Sequence, residues 1–376
     1  MTWTPPPTSR RTFLRGGVAL GALSGLSACG YVKNDVTAAA PLPKSAKAKI
    51  DGNLVYFNWA DYLDPGVLKG FQKEYGVKII ESNFDSMEGM YAKIAAGNQY
   101  DIVFPIAKWV AKLRRERKIR AIDHHQLSNA EQVFYSGSYF TDPWYDAGSR
   151  VSVPFTVYKT GIGWRTDKVD TMTGSWRDLW NPQAAGRIYT LDDQDEALAM
   201  AALLLGYDVN TAKPAHLQEM KKLLISQKKY LRAYSSDDIN DMNGGGAWIH
   251  HMWSGDFLYL RESLAKDKTQ FDFEAPKEGS PLNSDAYAIP ANARHPGTAM
   301  VFIDYLLRPE NAIKNSQYLY YPFPVRDAVG AFKKLAKDVP ACDVDVKDLE
   351  NPTVFRLLDS KAVQRRAATW TDVKAS

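Results

Sequence analysis

The sequence predicts an α/β protein built as two lobes. Short apolar runs alternate with helix-like segments, which argues for a mostly parallel sheet with crossover helices. Capping residues, prolines and glycines mark where helices start and stop. Beyond a leader and a tether, roughly 325 residues remain, too many for one ordinary core.

The elements follow in order. Leu54-Val55-Tyr56-Phe57 reads as a strand. Asp64-Pro65-Gly66 opens a helix, with Asp64 as N-cap and Pro65 at the first helical position. It buries Val67, Leu68 and Phe71 and stops at Gly76. Val77 to Ile80 is the next strand. Ser86 caps a helix carrying Met87, Met90, Tyr91 and Ile94. Asp101 to Phe104 is a third strand, followed by a helix from Lys108 to about Arg117. In the second region, Val153 to Trp164 reads as two strand segments around Lys159-Thr160-Gly161. Ser175 caps a short helix ending near Gly186, Ile188 to Leu191 is a strand, and Ala197 to Leu205 is a helix. Asp285 to Pro290 is a late strand, Pro296 to Leu307 a helix, and Pro309 starts another.

The N-terminus carries a processing signal. Ser9-Arg10-Arg11-Thr12-Phe13-Leu14 matches a twin-arginine export motif. The apolar run Val18 to Leu26 is too short to remain as a spanning helix. Leu26-Ser27-Ala28-Cys29 resembles a bacterial lipoprotein cleavage box, which makes Cys29 the lipidation site. The expected product is exported by the twin-arginine route and held by its lipid on the outer face of the cytoplasmic membrane or in the periplasm. Residues 29–50, rich in Ala, Lys and Pro, read as a tether.

Processing removes three arginines and no acid. The 47 basic residues become 44 against 43 acidic ones, and the net charge falls from +4 to +1. Nothing remains to argue for nucleic-acid binding. With Cys29 acylated, Cys342 is the only thiol, so no internal disulfide forms. The pairs His124-His125 and His250-His251 have no metal-ligand spacing around them, and neither a metal nor a cofactor is expected.

In open α/β sheets ligands bind beyond the carboxyl ends of the strands. Trp59, Asp61 and Tyr62 follow the first strand; Asp192, Asp193 and Glu196 follow the strand ending at Leu191. Trp253-Ser254-Gly255-Asp256 follows the Gly-rich turn 244–246, Asp285 opens the late strand, and Tyr320-Tyr321 precede Pro322. If these converge, they form an acidic slot walled by aromatic rings. Carboxylates satisfy ammonium groups with charge-assisted hydrogen bonds, and ring faces add cation–π attraction.

The ordered set Asn58-Trp59-Ala60-Asp61-Tyr62, Leu191-Asp192-Asp193-x-x-Glu196, Trp253-Ser254-Gly255-Asp256, Asp285-x-x-Ala288-Ile289-Pro290-Ala291-Asn292 and Tyr321-Pro322-Phe323-Pro324 resembles the polyamine-binding proteins of spermidine/putrescine ABC importers. Pro276-Lys277-Glu278-Gly279 and Leu306-Leu307-Arg308-Pro309 fit the same family, and the likeness runs from about Asn53 to Arg326. It implies a two-lobed type II periplasmic-binding-protein fold with hinge crossovers and a ligand cleft between the lobes. Lobe 1 would hold 51–158 and 285–331, and lobe 2 would hold 159–284 and 332–376. It also implies a monomer that captures putrescine or spermidine and delivers it to a membrane permease, without catalysis.

By the same likeness, Trp59 and Trp253 pack on the polyamine chain, and Tyr62 and Tyr321 stand at the ends and wall of the slot. Asp285 holds one ammonium. Asp193 and Glu196 match spermidine-type acids, Glu196 a putrescine-type acid as well, and Asp61 and Asp256 are putrescine-type. Three positions depart from the pattern. Asn283 stands where the family has a large aromatic, Ile106 where it often has a serine, and Lys108 where it often has an aromatic or polar residue near an amine. Lys108 either starts its helix with its head in solvent or faces the slot, where it repels a cation and suits an amino-containing acid.

Other readings stand beside these. Trp59 and Trp253 are equally ordinary as core aromatics. One of Asp192 and Asp193 suits the N-terminus of the following helix. Lys112 to Lys118 reads as a solvated helix face. Glu196 and Asp256 also suit a glycoside hydrolase, but no nucleophile elbow, Walker loop or dinucleotide fingerprint occurs in a strand–turn–helix context. Sugars need fewer carboxylates than these clusters offer; iron would want converging tyrosines and histidines.

Overall fold

The computed structural model describes residues 41–133 and 138–376. The leader, Cys29 and the first part of the expected tether lie outside the described residues. The elements run β1 (Leu54–Asn58), α1 (Pro65–Tyr75), β2 (Ile79–Asn83), α2 (Met87–Ala95), β3 (Ile102–Val103), α3 (Ala107–Arg115), α4 (Ser138–Thr141) and β4 (Ser152–Arg165). They continue as β5 (Ile188–Thr190), α5 (Gln194–Leu204), α6 (Pro214–Gln227), β6 (Leu231–Tyr234), α7 (Asp238–Asn243), β7 (Ile249–Trp253), α8 (Ser254–Tyr259) and β8 (Phe271–Glu274). The last are β9 (Leu282–Ala288), α9 (Pro296–Leu306), α10 (Pro309–Leu319), α11 (Arg326–Leu335), α12 (Val346–Glu350) and α13 (Ser360–Ala375).

The sequence signals work locally as physics requires. The Asp64 carboxylate accepts from the Val67 amide, and α1 ends at Gly76 in the left-handed region with φ 67°. Ser86 caps α2 through the Gly89 amide. The segment after Ser175 forms two short 3₁₀ turns, Trp176–Trp180 and Pro182–Ala184, rather than one helix, because Pro182 interrupts the run.

The strand order is β2-β1-β3-β9-β4-β7-β5-β6, with β8 also paired to β4. The expected mostly parallel sheet is in fact mixed. β1 pairs in parallel with β2 and β3, and β5 with β6 and β7, but the centre is antiparallel. The cause is β4. The two segments expected around Lys159 are one strand of 14 residues that changes partners midway. Residues up to Lys159 pair with β9, and from Thr160 onward the partners are β7 and β8. Strand β4 is thus shared between the lobes: its ladder with β9 lies in lobe 1, and its ladders with β7 and β8 lie in lobe 2. The return crossing falls at Pro281/Leu282, before the expected Asp285. A third crossing runs through α11, where Ala328 packs in a lobe 1 core and Phe332 in a lobe 2 core.

Lobe 1 is buried on both sheet faces, and alternation along a strand divides its side chains. Tyr56 and Tyr287 pack with Phe71, Phe104 and Phe302 on one face. Phe57 and Ala286 pack with Met90, Val110 and Leu113 on the other. Each such aromatic contributes about 1.5–3 kcal/mol by leaving water. Lobe 2 builds its cores from Trp176, Leu198, Met220 and Ile249, and from Met252, Phe257 and Phe273.

The tether is shorter than expected at its end. Leu42, Ala46 and Ala48 pack on lobe 1, Pro43 accepts from the Ala121 amide, and Asp51 accepts from the Gly297 and Thr298 amides at the start of α9. The basic run on α3 is also not wholly solvated. Arg114 turns inward to the buried Asp146 carboxylate at 3.1 Å.

Candidate functional site

Asp285 sits on the β4/β9 ladder, paired in register with Thr156, four residues before β4 changes partners. A β-bulge at Phe155 re-aims the neighbouring side chains, as such bulges do. The Thr156 hydroxyl donates to Asp285 Oδ2 at 2.8 Å, and the Tyr62 hydroxyl donates to the same oxygen at 2.7 Å. Oδ1 is buried with no hydrogen-bond partner. Desolvation pushes the Asp285 carboxyl up to about 6, against the opposing pull of Tyr62 and Thr156. The residue is thus a half-satisfied anion in a closed place.

Glu196 lies in the first turn of α5 and is also buried. It accepts from the Thr160 hydroxyl at 2.8 Å and from the Asn283 amide at 2.7 Å. Both donors are neutral. Burial, with help from Asp193, pushes Glu196 up to about 8. Asp193 caps α5 through the Asp195 and Glu196 amides, so it serves the helix as well as the cleft. Asp192 points away and pairs with Lys374 on the surface. His251 is fully buried with its ring 3.9 Å from Glu196, and desolvation drives its pKa down to about 3, so it stays neutral there.

Asp256 lies in α8 and accepts from the Tyr321 hydroxyl at 2.6 Å. Gly255 permits this. A Cβ at that position would overlap the Tyr321 ring. Burial raises Asp256 to about 6. Beside it stands Asp238, raised well above the usual carboxylate range by burial and by Asp256, with the Ile239 and Trp253 amides as donors. Among the described residues neither acid forms an ion pair.

Tyr158 ties these pieces together. Its buried phenol is raised well above its usual range first by desolvation and then by the fields of Asp285, Glu196, Asp256 and Asp193. Its ring meets Tyr321 edge-on at 4.8 Å, and Tyr321 in turn lies 6.4 Å from Tyr62. Four carboxylates and three tyrosines therefore converge where the two lobes meet.

Six of the nine residues singled out in the sequence belong to this group: Tyr62, Asp193, Glu196, Asp256, Asp285 and Tyr321. Trp253 ends β7 beside Asp238, half-buried. Trp59 packs edge-on against Phe84 at 4.7 Å, on the second core of lobe 1. Asp61 is not brought in. It takes a left-handed turn conformation, φ 52°, and its side chain is exposed. Lys108 is not solvated as its helix-start reading had it. Its ammonium crosses from lobe 1 to pair with Asp195 of lobe 2.

Sequence reasoning missed Thr156, Tyr158, Thr160, Asp195 and Asp238. Asp238 follows the C-terminal end of β6 and so obeys the same strand-end rule as the others. Thr156, Tyr158 and Thr160 have ordinary side chains brought to the site by β4, and Asp195 is brought there by α5. Among the described residues no group of three metal-ligating side chains gathers, and no helix is long and apolar enough to cross a membrane.

Residues 67–341 match the family model described as "Bacterial extracellular solute-binding protein". The chain is 35% identical over 292 residues to the spermidine/putrescine-binding periplasmic protein of Escherichia coli, covering 75% of this chain and 81% of that one. Its fold superposes with a TM-score of 0.75, at 26% identity, on the spermidine/putrescine ABC transporter substrate-binding protein PotD of Streptococcus pneumoniae, covering 86% of this chain and 99% of that one. The TpPotD lipoprotein of Treponema pallidum gives 0.76 at 26% identity, covering 85% and 98%.

Proposed function

The chain belongs to the bacterial extracellular solute-binding proteins, and from that premise we propose that it captures a polyamine between its lobes and delivers it to an ABC permease. The observation that carries this reading is that Asp285, Asp256 and Glu196 accept from Tyr62, Tyr321 and Thr160 while the Tyr62, Tyr321 and Tyr158 rings stand in contact. Buried carboxylates with raised pKa values are short of positive charge. An alkyl diammonium supplies it at each end and lays its methylenes against tyrosine faces.

In this reading Asp285 binds one ammonium through its unpartnered Oδ1. Glu196 and the Asp238/Asp256 pair bind at either side, with Tyr62 and Tyr321 orienting the acids they donate to. Trp253 flanks the Asp256 end. Trp59 and Asp61 stand outside this group of acids and rings. Asp285 and Glu196 are buried, so a ligand reaches them only when the lobes part. Strand β4, continuous through its change of partners at Thr160, is the element about which they part. The closed form presents a joint surface of both lobes to the permease.

Calorimetric titration of the protein lacking residues 1–28 with putrescine, spermidine, spermine and γ-aminobutyrate tests the reading. One-to-one binding of a polyamine, recovered unchanged afterwards, is expected. Heat from γ-aminobutyrate alone overturns it, and cleavage or conversion of a bound ligand overturns capture without catalysis. Attachment through Cys29 after twin-arginine export is part of the same proposal. Cys29→Ala should move the protein from the membrane fraction to the soluble one.

A further inference from the structure

Lys108 opens α3 in lobe 1, and Asp195 stands in the first turn of α5 in lobe 2. Their ion pair spans the cleft at the Glu196 end. Asp195 is also held from behind. Arg366, on α13, is almost fully buried; it donates to the Val209 and Thr211 carbonyls at 2.8 and 3.1 Å and to Asp195 Oδ1 at 3.3 Å. Lys108 takes the other oxygen, Oδ2. Both oxygens of Asp195 are therefore occupied by cations of the chain itself. Glu196, the next residue, has only neutral donors.

The side chains around this end are short of room and mostly apolar. Ile106, Leu282, Asn283, Val354 and Phe355 line the small cavity with Lys108. Val354, Phe355 and Arg366 come from the C-terminal segment, beyond the residues matched by the family model. Desolvation opposes the charge on both members of the pair. Each overcomes it through the other: Asp195 is brought down to about 2 by Lys108 and Arg366, and Lys108 is raised by Asp195.

We propose that Lys108 is a specificity-determining residue, a cation built into the cleft that takes the Asp195 carboxylate away from the ligand and ends the slot at Glu196. The inference rests on the polyamine reading above. A diamine reaches Asp285 and one flanking acid and stops short of Lys108. A longer triamine brings a further ammonium toward a wall that already carries one, where like charges in a closed space repel.

Titration of wild type, Lys108→Ala and the double variant Lys108→Ala/Asp195→Asn with putrescine and spermidine tests this, with thermal unfolding confirming that each is folded. Wild type should prefer putrescine. Lys108→Ala should shift the putrescine-to-spermidine affinity ratio toward spermidine by ~10-fold or more. The double variant should keep the part of that shift that comes from removing the repelling ammonium and lose the part that comes from the freed carboxylate. A Lys108 that merely latches the lobes together moves both affinities by the same factor and leaves the ratio fixed, and that result overturns the inference. Wild-type preference for spermidine also overturns it. If no protein binds either amine, the polyamine reading itself fails, which the unchanged-ratio outcome does not imply. If Lys108→Ala does not fold, Lys108→Gln keeps the stem and the same ratio decides.

Discussion

At one end of the cleft Asp238 and Asp256 lie side by side with Tyr321, two backbone amides and no ion pair. At the other, Asp193, Asp195 and Glu196 crowd the first turn of α5, and the chain answers with Lys108 and Arg366. The first end has no internal cation, and burial raises the pKa of both its acids; the second is neutralised by internal cations. Only charge that the fold has left uncompensated is available to an incoming ammonium, so similar acids at the two ends have different uses. Asp195 is held by the chain's own cations; in the proposed function Asp256, Asp285 and Glu196 serve the ligand.

The largest expected effect is at the centre, between those ends. Asp285→Asn keeps the shape and the hydrogen bonds of Tyr62 and Thr156 within reach but removes the charge. A charge-assisted hydrogen bond of about 1.5–3 kcal/mol is lost, so polyamine affinity should drop ~10- to 100-fold in calorimetry, with no loss of folding stability. Equal affinity in the variant removes Asp285 from the site and leaves the two ends unconnected.

Paired substitutions sharpen the contrast directly. Asp195→Asn strands Lys108 and the buried Arg366, and urea unfolding should show a loss of about 2 kcal/mol, below the full value for a buried pair because Asp195 is partly exposed. Asp256→Asn relieves a desolvated acid beside Asp238, so stability should hold or rise while affinity falls ~10-fold. If the two stabilities change alike, the division between structural and ligand-binding acids is wrong.

The pH dependence tests the same division through the whole protein. Asp285 and Asp256, at about 6, and Glu196, at about 8, bind their protons more tightly folded than unfolded. Their contribution to stability is full below about pH 4 and is lost as pH rises through these values. Asp195, brought down to about 2, acts in the opposite sense, and its contribution is present above about pH 4. Between about pH 5 and 8.5 the raised acids dominate. The ligand-free melting temperature should fall across that window, and the upshift caused by putrescine should grow, because the cation favours the ionised forms. A ligand-free melting temperature that rises with pH shows these acids already ionised and the cleft less closed than it is here.

Much of this arrangement was legible in the residues. Caps, prolines and glycines placed α1, α2, α9 and α10 because their signals act over three or four residues. The strand-end rule pointed to Glu196, the Gly-rich turn drew attention to Asp256, and the family likeness pointed to Asp285 as an ammonium holder. What escaped is non-local. No local pattern says that β4 stays continuous while changing partners at Thr160, so Thr156, Tyr158 and Thr160 read as strand filler. Nor does the sequence show Lys108 meeting Asp195, 87 residues away, with Arg366 arriving from a further helix. Asp61 was misplaced for the opposite reason. Its neighbours Trp59 and Tyr62 suggested a shared direction, but one left-handed residue turns its side chain out to solvent.

The smallest expected effect lies at the Asp256 end and concerns packing alone. Gly255 lets the Tyr321 ring approach α8 closely and reach Asp256, and a methyl there would overlap the ring itself rather than the tip of a flexible chain. Helix propensity alone favours alanine over glycine by up to about 1 kcal/mol, so a substitution that only touched α8 would stabilise the protein. Overpacking works against that gain, and Tyr321 can escape only by swinging toward the cleft and giving up its hydrogen bond. Gly255→Ala should therefore leave thermal stability within about 1 kcal/mol of wild type while lowering polyamine affinity a few-fold. It should not disturb the Lys108–Asp195 end, so the putrescine-to-spermidine ratio should stay as in wild type. A change in that ratio would mean that the two ends are coupled through the hinge, and that the internal cations at one end also set how tightly the acids at the other are closed.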